Sequence, residues 1–237
     1  QQIGVKLRGE SRWLNAISIE CSEEQLFEIS NLSYVRDIKP IIQYKRENQD
    51  YINSVRKLGR SSSSYEIDYG NSFEQLEQIN VPTSHNAGYD GEGVRILLLD
   101  TGYNLEHPVF DSLYVIAEWD VINDDSLTRN ENSQDVSGQH NHGTSVLSII
   151  GGYNPGTLVG PAYKSEFLLA KTEYIPSETQ IEEDHFIRGL EWGESLGAEI
   201  VSTSLGYTDW YTQSDLDGNT ALVTNAMDLA TNVFGII

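Results

Sequence analysis

The sequence predicts an α/β fold in which a doubly wound, mostly parallel sheet is preceded by a small α+β module. Helices and strands alternate along most of the chain, which is typical of βαβ units. Residues 94–99 are apolar except for Arg95, as expected for a strand buried on both faces of a parallel sheet. Residues 12–42 instead show a strand, a helix and a second strand, and a polar stretch separates them from the rest of the chain.

The N-terminal module begins with alternating apolar and polar residues over 13–19, which predict a strand. Ser22 and Gln25 have the spacing of a helix-capping box, in which each side chain satisfies a backbone donor at the start of the helix. An amphipathic stretch follows, and a second short strand is predicted over residues 35–38, just before Pro40.

The chain therefore divides into three parts. Residues 1–42 form the small module. Residues 43–64 are polar and charged, with a run of serines at 61–64, and are predicted to be an exposed linker. Residues 65–237 carry the α/β pattern, whose predicted elements are helix 73–79, turn 88–93, strand 94–99, helix 143–150, strand 166–171, helix 182–196, strand 199–204 and helix 221–230.

Composition excludes several classes of partner. With 36 acidic and 15 basic side chains among 237 residues, the formal charge is -21, which disfavours binding to nucleic acid or to an anionic membrane surface. Apolar runs such as 96–99 are far shorter than the roughly 18 residues that cross a bilayer. A single cysteine allows no disulfide within the chain. We therefore expect no nucleic-acid partner and no membrane partner.

Two short motifs indicate chemistry. The buried strand ends at Asp100, within Asp-Thr-Gly, and so places a carboxylate at the carboxyl edge of a parallel sheet. His142, within His-Gly-Thr, stands at the start of a predicted helix. Each alone has an ordinary structural explanation, as a turn-capping Asp or as a surface His. Together, an Asp that orients an imidazole and a His that accepts a proton are two of the three parts of a serine-protease triad.

Four segments occur in the same order as in subtilases, the subtilisin-like serine proteases: Gly88-Tyr-Asp-Gly-Glu-Gly-Val94, Ile96-Leu-Leu-Leu-Asp-Thr-Gly102, His142-Gly-Thr-Ser-Val146 and Ser204-Leu-Gly206. From about residue 65 onward the chain thus resembles the N-terminal part of a subtilisin-like catalytic domain. The resemblance implies that Asp100 orients the imidazole and that His142 acts as general base and then as general acid.

The resemblance also implies how substrate is bound and how the protein matures. Ser204, Leu205 and Gly206 would lie along a protein or peptide substrate and pair with its backbone. Residues 1–42 are similar to the latter part of the propeptide that assists folding of many subtilases and inhibits their active site. The linker at 43–64 would then contain the maturation cut, and the protein would be a secreted zymogen.

In subtilases, the Gly-Thr-Ser motif of the nucleophile and the asparagine that stabilises the oxyanion lie beyond the point that corresponds to residue 237. We therefore expect residues 1–237 alone to be inactive and to need a C-terminal remainder of the catalytic domain, with which the complete protein is a serine endopeptidase. Ser145, Ser202 and Ser204 are poor substitutes, because Ser145 falls inside the predicted His142 helix and the other two fall on the substrate-binding segment.

Two alternative functions are open from the sequence. One is a catalytically inactive peptide-binding protein that has the subtilase fold without a nucleophile. The other is an aspartic-type peptidase, because Asp100-Thr-Gly resembles a motif of that class. Those enzymes need two carboxylates that share a proton, and Asp-Thr-Gly occurs once here.

No cofactor is expected for the chemistry. An oxygen-rich cluster, made up of Asp120, Asn123, Asp124 and Asp125, could bind a structural calcium ion, but it has no recognisable loop signature and a solvated acidic loop is favoured. A metal site that combines His140, His142 and Asp135 is disfavoured for want of further ligands at suitable spacing. We instead expect His140 to be a solvent-facing neighbour of the active-site base.

Overall fold

The structure is a computed structural model that describes residues 4–41, 43–44 and 65–237. Its elements in chain order are β1 (Lys6–Ser11), β2 (Ala16–Glu20), α1 (Glu23–Ser30), β3 (Gln43–Tyr44), α2 (Phe73–Gln78), α3 (Val81–Asn86), β4 (Arg95–Asp100), a 3-10 helix (Pro108–Phe110), β5 (Tyr114–Asp120), α4 (Asn141–Gly151), β6 (Tyr153–Asn154), β7 (Leu158–Val159), β8 (Glu166–Lys171), β9 (Glu178–Thr179), α5 (Ile181–Ser195), β10 (Ile200–Thr203) and α6 (Leu222–Asn232).

The central sheet has four parallel strands among the described residues, in the spatial order β10-β4-β8-β5. Alternate residues of β4 point to opposite faces. Leu97 and Leu99 pack with α5 and α6, whereas Leu98 packs with Leu147 of α4. Since both faces of the sheet are covered by helices, the central residues of β4 and β8 must be apolar, and charged residues stand only at the two ends of each strand. The predicted doubly wound α/β fold is confirmed.

The predicted strands 94–99, 166–171 and 199–204 correspond to β4, β8 and β10, but β5 has no counterpart in the sequence-based prediction. It lies at the edge of the sheet, where most of its residues are only partly buried. Its pairing with β8 is also irregular between Val115 and Ala117. An edge strand needs no continuous apolar run, and Glu118 interrupts the apolar residues of β5 in the sequence.

The N-terminal module differs from its prediction at three places, and the first is β1 (Lys6–Ser11), which has no counterpart among the predicted elements. The strand predicted over 13–19 begins only at Ala16, because residues 12–15 form the turn of an antiparallel β1-β2 hairpin and Asn15 takes a left-handed conformation with φ 48°. Residues 35–38 form no strand within the described part of the chain. The capping box is confirmed: the Gln25 backbone N–H donates to Ser22 Oγ, and the Ser22 N–H donates to the Gln25 side chain.

The module packs against α5. Glu191, whose side chain is only 7% exposed, accepts hydrogen bonds from Ser11 Oγ at 2.5 Å and from the backbone N–H of Arg12 at 3.0 Å. Trp13 stacks on Phe234 with ring centroids 4.5 Å apart. The β1-β2 turn therefore holds a buried carboxylate of α5 and an aromatic ring that follows α6.

The segment that follows the module makes a second contact with the α/β part of the chain. The two residues of β3 pair in antiparallel register with β9, between β8 and α5. The rest of the predicted linker, residues 45–64, lies outside the described residues. Within the described residues no helix is both long enough and apolar enough to cross a membrane.

We predict that His185, on α5, makes the stability of the fold depend on pH. Burial lowers the pKa of His185 from 6.5 to about 4, and the nearby Arg188 acts in the same direction. The folded chain favours the neutral ring, so the unfolded chain takes up the proton first as the pH falls below 6.5. This contribution to stability is therefore lost between pH 6.5 and about 4, at up to about 1.4 kcal/mol per pH unit.

The measurement is the free energy of unfolding of the wild type and of His185→Gln at several pH values. Burial raises the pKa of the neighbouring Asp184, which works in the opposite direction as the pH falls, so the difference between the two proteins is the quantity to compare. His185→Gln should show the shallower loss of stability on acidification. Identical slopes in both proteins would contradict the prediction.

Candidate active site

Asp100 is the last residue of β4, which lies between β8 and β10. Its side chain is 1% exposed, and Oδ1 accepts a hydrogen bond of 2.6 Å from the backbone N–H of Thr101. A buried carboxylate is costly unless polar groups satisfy it. The central strand therefore delivers a desolvated acceptor to the carboxyl edge of the sheet, where α/β proteins commonly build their sites.

His142 provides the matching donor. It is the second residue of α4, and its Nδ1 lies 2.7 Å from Asp100 Oδ1. A carboxylate accepts, so we assign the proton to Nδ1, which leaves Nε2 as the basic atom of the ring. The side chain is 32% exposed, in contrast to the buried carboxylate that it contacts. The arrangement is that of an orienting carboxylate behind a general base.

The two motifs are also joined through their threonines. The backbone N–H of Gly143 donates to Thr101 Oγ1 at 3.2 Å, and the N–H of Asn104 donates to Thr144 Oγ1 at 2.8 Å. The Thr144 hydroxyl in turn donates to the carbonyl of His140. Each threonine thus connects the turn after β4 to the first turn of α4, which fixes the base against the carboxylate.

The glycines of both motifs allow this close approach. A Cβ atom on Gly143 would lie 2.3 Å from the carbonyl oxygen of Gly102 and 3.0 Å from Asp100 Cβ. Gly102 has φ +119°, and a Cβ there would lie 2.3 Å from the carbonyl oxygen of Thr128. Gly143 is therefore required by backbone contact between the two motifs, and Gly102 by its positive φ and by its contact with the Thr128 carbonyl.

His140 is not the solvent-facing neighbour that the sequence suggested. Its ring is partly buried, and Nδ1 accepts a hydrogen bond of 2.9 Å from the backbone N–H of Asn130. The Asn130 side chain accepts from the His140 N–H in return. Burial lowers the pKa of His140, which favours the neutral ring. His140 therefore orders the loop before α4.

In the oxygen-rich cluster at the end of β5, the buried carboxylate of Asp120 is hydrogen-bonded to donors of the protein itself. Asp120 accepts hydrogen bonds from the backbone N–H groups of Ile122 and Asn123 and from Lys171 Nζ. Asp125 accepts from the N–H of Leu127. In the described part of the chain no three His, Cys, Asp or Glu side chains are grouped as a metal site would need.

The segment suggested for substrate binding follows β10 directly. Because β10 pairs in parallel with β4, Ser204, Leu205 and Gly206 leave the sheet at the same edge as Asp100. Leu205 packs on the core cluster that contains α5 and α6. A Cβ on Gly206 would meet no described atom within 4 Å, so this position faces open space.

The serine on the His142 helix has a local role, as Ser145 Oγ donates to the carbonyl of Asn141 at 3.0 Å. Sequence reasoning missed two residues near the dyad, Gln139 and Lys171, both fully buried. For Lys171 a signal existed, because a charged residue directly follows the apolar run 167–170 of the predicted strand. Gln139 lies in a polar loop and has no distinguishing pattern.

Comparison with known families gives two matches. The subtilase family model matches residues 91–233, which include Asp100, His142 and the 204–206 segment. A second model, described as the peptidase S8 propeptide domain of Bacteroidota, matches residues 1–57. The propeptide match covers the predicted N-terminal module and extends into the predicted linker, and the subtilase match lies within the predicted α/β part.

Individual relatives agree with these matches. The chain is 26% identical over 199 residues to the minor extracellular protease Vpr of Bacillus subtilis, covering 80% of this chain and 23% of Vpr. It is 24% identical over 208 residues to the alkaline protease of Alkalihalobacillus alcalophilus, covering 87% of this chain and 45% of that protein. The chain thus spans less than half the length of either relative.

A solved structure shares the fold. Fervidolysin from Fervidobacterium pennivorans, a keratinolytic enzyme related to subtilisin, superposes with a TM-score of 0.62 at 18% sequence identity. The superposition covers 99% of this chain and 36% of fervidolysin. It therefore includes both the N-terminal module and the α/β part.

We predict that Gly143→Ala destabilises the fold and separates His142 from Asp100. Alanine is favoured over glycine inside a helix by about 1 kcal/mol, but the added methyl group overlaps the Gly102 carbonyl, and such overpacking costs about 1–3 kcal/mol. Thermal unfolding should show a lower Tm, and proton NMR should show loss of the low-field signal of the imidazole N–H. Gly206→Ala, which adds a methyl group in open space, is the matched control and should leave Tm unchanged. An unaltered Tm in Gly143→Ala would contradict the steric explanation.

Proposed function

The chain belongs to the subtilase family of subtilisin-like serine peptidases, and on this premise we propose that the complete protein is an endopeptidase that cleaves peptide bonds with an Asp-His-Ser triad. The observation that carries the proposal is the 2.7 Å contact between His142 Nδ1 and Asp100 Oδ1 at the carboxyl edge of the sheet. A buried carboxylate behind an accessible imidazole provides the base that a serine hydroxyl needs.

In the proposed mechanism, Asp100 holds the imidazole in one tautomer and stabilises the cation that forms on it. His142 Nε2 takes the proton of the attacking hydroxyl, and the imidazolium later gives this proton to the leaving amine. The nucleophilic serine and the donors to the oxyanion are assigned to residues that follow Ile237, so residues 1–237 alone are inactive. The chemistry uses side chains and water and needs no cofactor.

Substrate is proposed to lie along Ser204, Leu205 and Gly206, where its backbone adds to the segment that leaves β10. The open space at the α-carbon of Gly206 supports this role, because a peptide backbone can approach there without meeting a side chain. Ser202 and Ser204 belong to this strand end and not to the catalytic group.

The N-terminal module is proposed to act as an inhibitory propeptide. Its β1-β2 turn is anchored on Glu191, and the two residues of β3 pair with β9, so both contact the catalytic part. The maturation cut is placed in the stretch 43–64, and loops of this kind are accessible to proteolysis. Secretion is proposed because the relative Vpr is named as an extracellular protease.

The test is active-site labelling of the full-length protein. A fluorophosphonate should modify one serine C-terminal to Ile237; Asp100→Asn should lower kcat by about 10⁴-fold and His142→Ala by about 10⁶-fold. Asp111→Asn, an exposed carboxylate outside the site, is the control and should retain wild-type activity.

Other outcomes distinguish the rival functions. Full-length protein that binds peptides but is neither labelled nor active would favour a catalytically inactive peptide-binding protein. Inhibition by a pepstatin-type compound, with no labelling, would favour a paired-carboxylate mechanism. Either result would overturn the proposed triad.

A further inference from the structure

A buried ion cluster lies beside the dyad. Lys171 ends β8, and its side chain is 0% exposed. Its Nζ lies 2.7 Å from Asp120 Oδ2 and 2.5 Å from Asp135 Oδ1, and both carboxylates are buried as well. With all three groups ionised the cluster carries one net negative charge inside the protein. Such groups are seldom buried without a specific role, because their desolvation offsets most of their attraction.

The cluster joins separate parts of the fold at one edge of the sheet. Since β8 lies between β4 and β5, Lys171 is the register partner of Asp100 on one side and of Asp120 on the other. Asp135 belongs instead to the loop that leads from β5 to α4. The ammonium group therefore ties this loop to the strand that neighbours the catalytic carboxylate.

Asp135 also binds the backbone of the same loop, so the restraint from Lys171 extends to neighbouring residues. Its Oδ2 accepts a 2.8 Å hydrogen bond from the backbone N–H of Glu131, the residue after Asn130. Asn130 exchanges two hydrogen bonds with His140, which immediately precedes α4. Fixing Asp135 thus restrains the second half of this loop, from Asn130 to His140, which leads into the helix of His142.

Gln139 supplies a second tie to the same edge. Its Nε2 donates to the carbonyl oxygens of Thr101 at 3.0 Å and Glu173 at 2.6 Å, and its Oε1 accepts from the N–H of Ile175. These carbonyls follow β4 and β8 respectively. The loop before α4 is therefore held at two points. One is the ion pair of Lys171 with Asp135, and the other is the set of hydrogen bonds from the Gln139 side chain to backbone groups that follow β4 and β8.

We propose that Lys171 is a positioning residue for catalysis: through Asp135 it sets where α4 begins, and hence whether His142 reaches Asp100. The role in catalysis rests on the proposed peptidase function, whereas the positioning of the imidazole does not. Buried ion pairs add little net stability over apolar side chains of similar size but can specify one arrangement of the chain. A positioning role and a purely stabilising role therefore predict different results when the whole charged cluster is replaced by uncharged side chains.

The experiment compares three variants of the full-length protein. Lys171→Met leaves two buried carboxylates without their cation. The triple variant Lys171→Met, Asp120→Asn, Asp135→Asn removes all three charges and with them the electrostatic penalty. Arg95→Met is the matched control, because it breaks the 2.5 Å ion pair to Glu166 at the opposite end of the same two strands.

Three quantities are measured: Tm, the values of kcat and KM on a peptide substrate, and the low-field NMR signal of the His142 N–H. Lys171→Met should lower Tm, reduce kcat about 100-fold with KM little changed, and abolish the signal. The triple variant should recover Tm while kcat stays low and the signal stays absent. Arg95→Met should lower Tm and retain wild-type kcat and signal.

Recovery of kcat and of the signal together with Tm in the triple variant would overturn the inference, as would wild-type values in Lys171→Met. If the wild type cleaves no peptide, the proposed function fails, yet the NMR signal still decides whether Lys171 positions the imidazole. The two failures are therefore distinguishable.

Discussion

The hydrogen bond between Asp100 and His142 is the interaction on which the rest of the structure depends. A carboxylate at the end of a strand covered on both faces has little access to water, so its negative charge must be met by protein donors. The Thr101 N–H and the imidazole N–H both donate to Oδ1, whereas the buried Oδ2 has no hydrogen-bond partner among the described residues. The bond from the imidazole therefore stabilises one oxygen of the buried carboxylate and also sets the tautomer of His142, so one contact serves both folding and the proposed chemistry.

The surrounding fold keeps the two partners of this bond together. Both faces of β4 are packed by helices, which leaves Asp100 little freedom to move. α4 has less support of this kind at its start, because it follows a polar loop. Other contacts hold the start of α4 in place. Gly102 and Gly143 permit close approach of the backbone, and the buried side chains of Lys171 and Gln139 bind the loop before the helix. Precision in the proposed active site therefore arises from polar contacts at the sheet edge as well as from the apolar core.

Much of this arrangement could be predicted from the sequence, for physical reasons. β4 and β8 are buried on both faces and so have continuous apolar runs, and the residue types at 100 and 142 are those that proton transfer requires. β5, by contrast, lies at an edge, is mostly only partly buried, and has Glu118 among its apolar residues. The turn at 12–15 depends on the left-handed conformation of Asn15, which the alternating pattern hides. The partners of Lys171 come from distant segments, and a single sequence does not reveal such pairing.

The most direct measurement is a crystal structure of the full-length protein after reaction with a fluorophosphonate. The phosphorus should be bound to the hydroxyl oxygen of a serine that follows Ile237. His142 Nε2 should lie within hydrogen-bond distance of that oxygen, and Nδ1 should remain on Asp100 Oδ1. An imidazole turned away from Asp100, or an adduct on a residue out of its reach, would contradict the proposed triad.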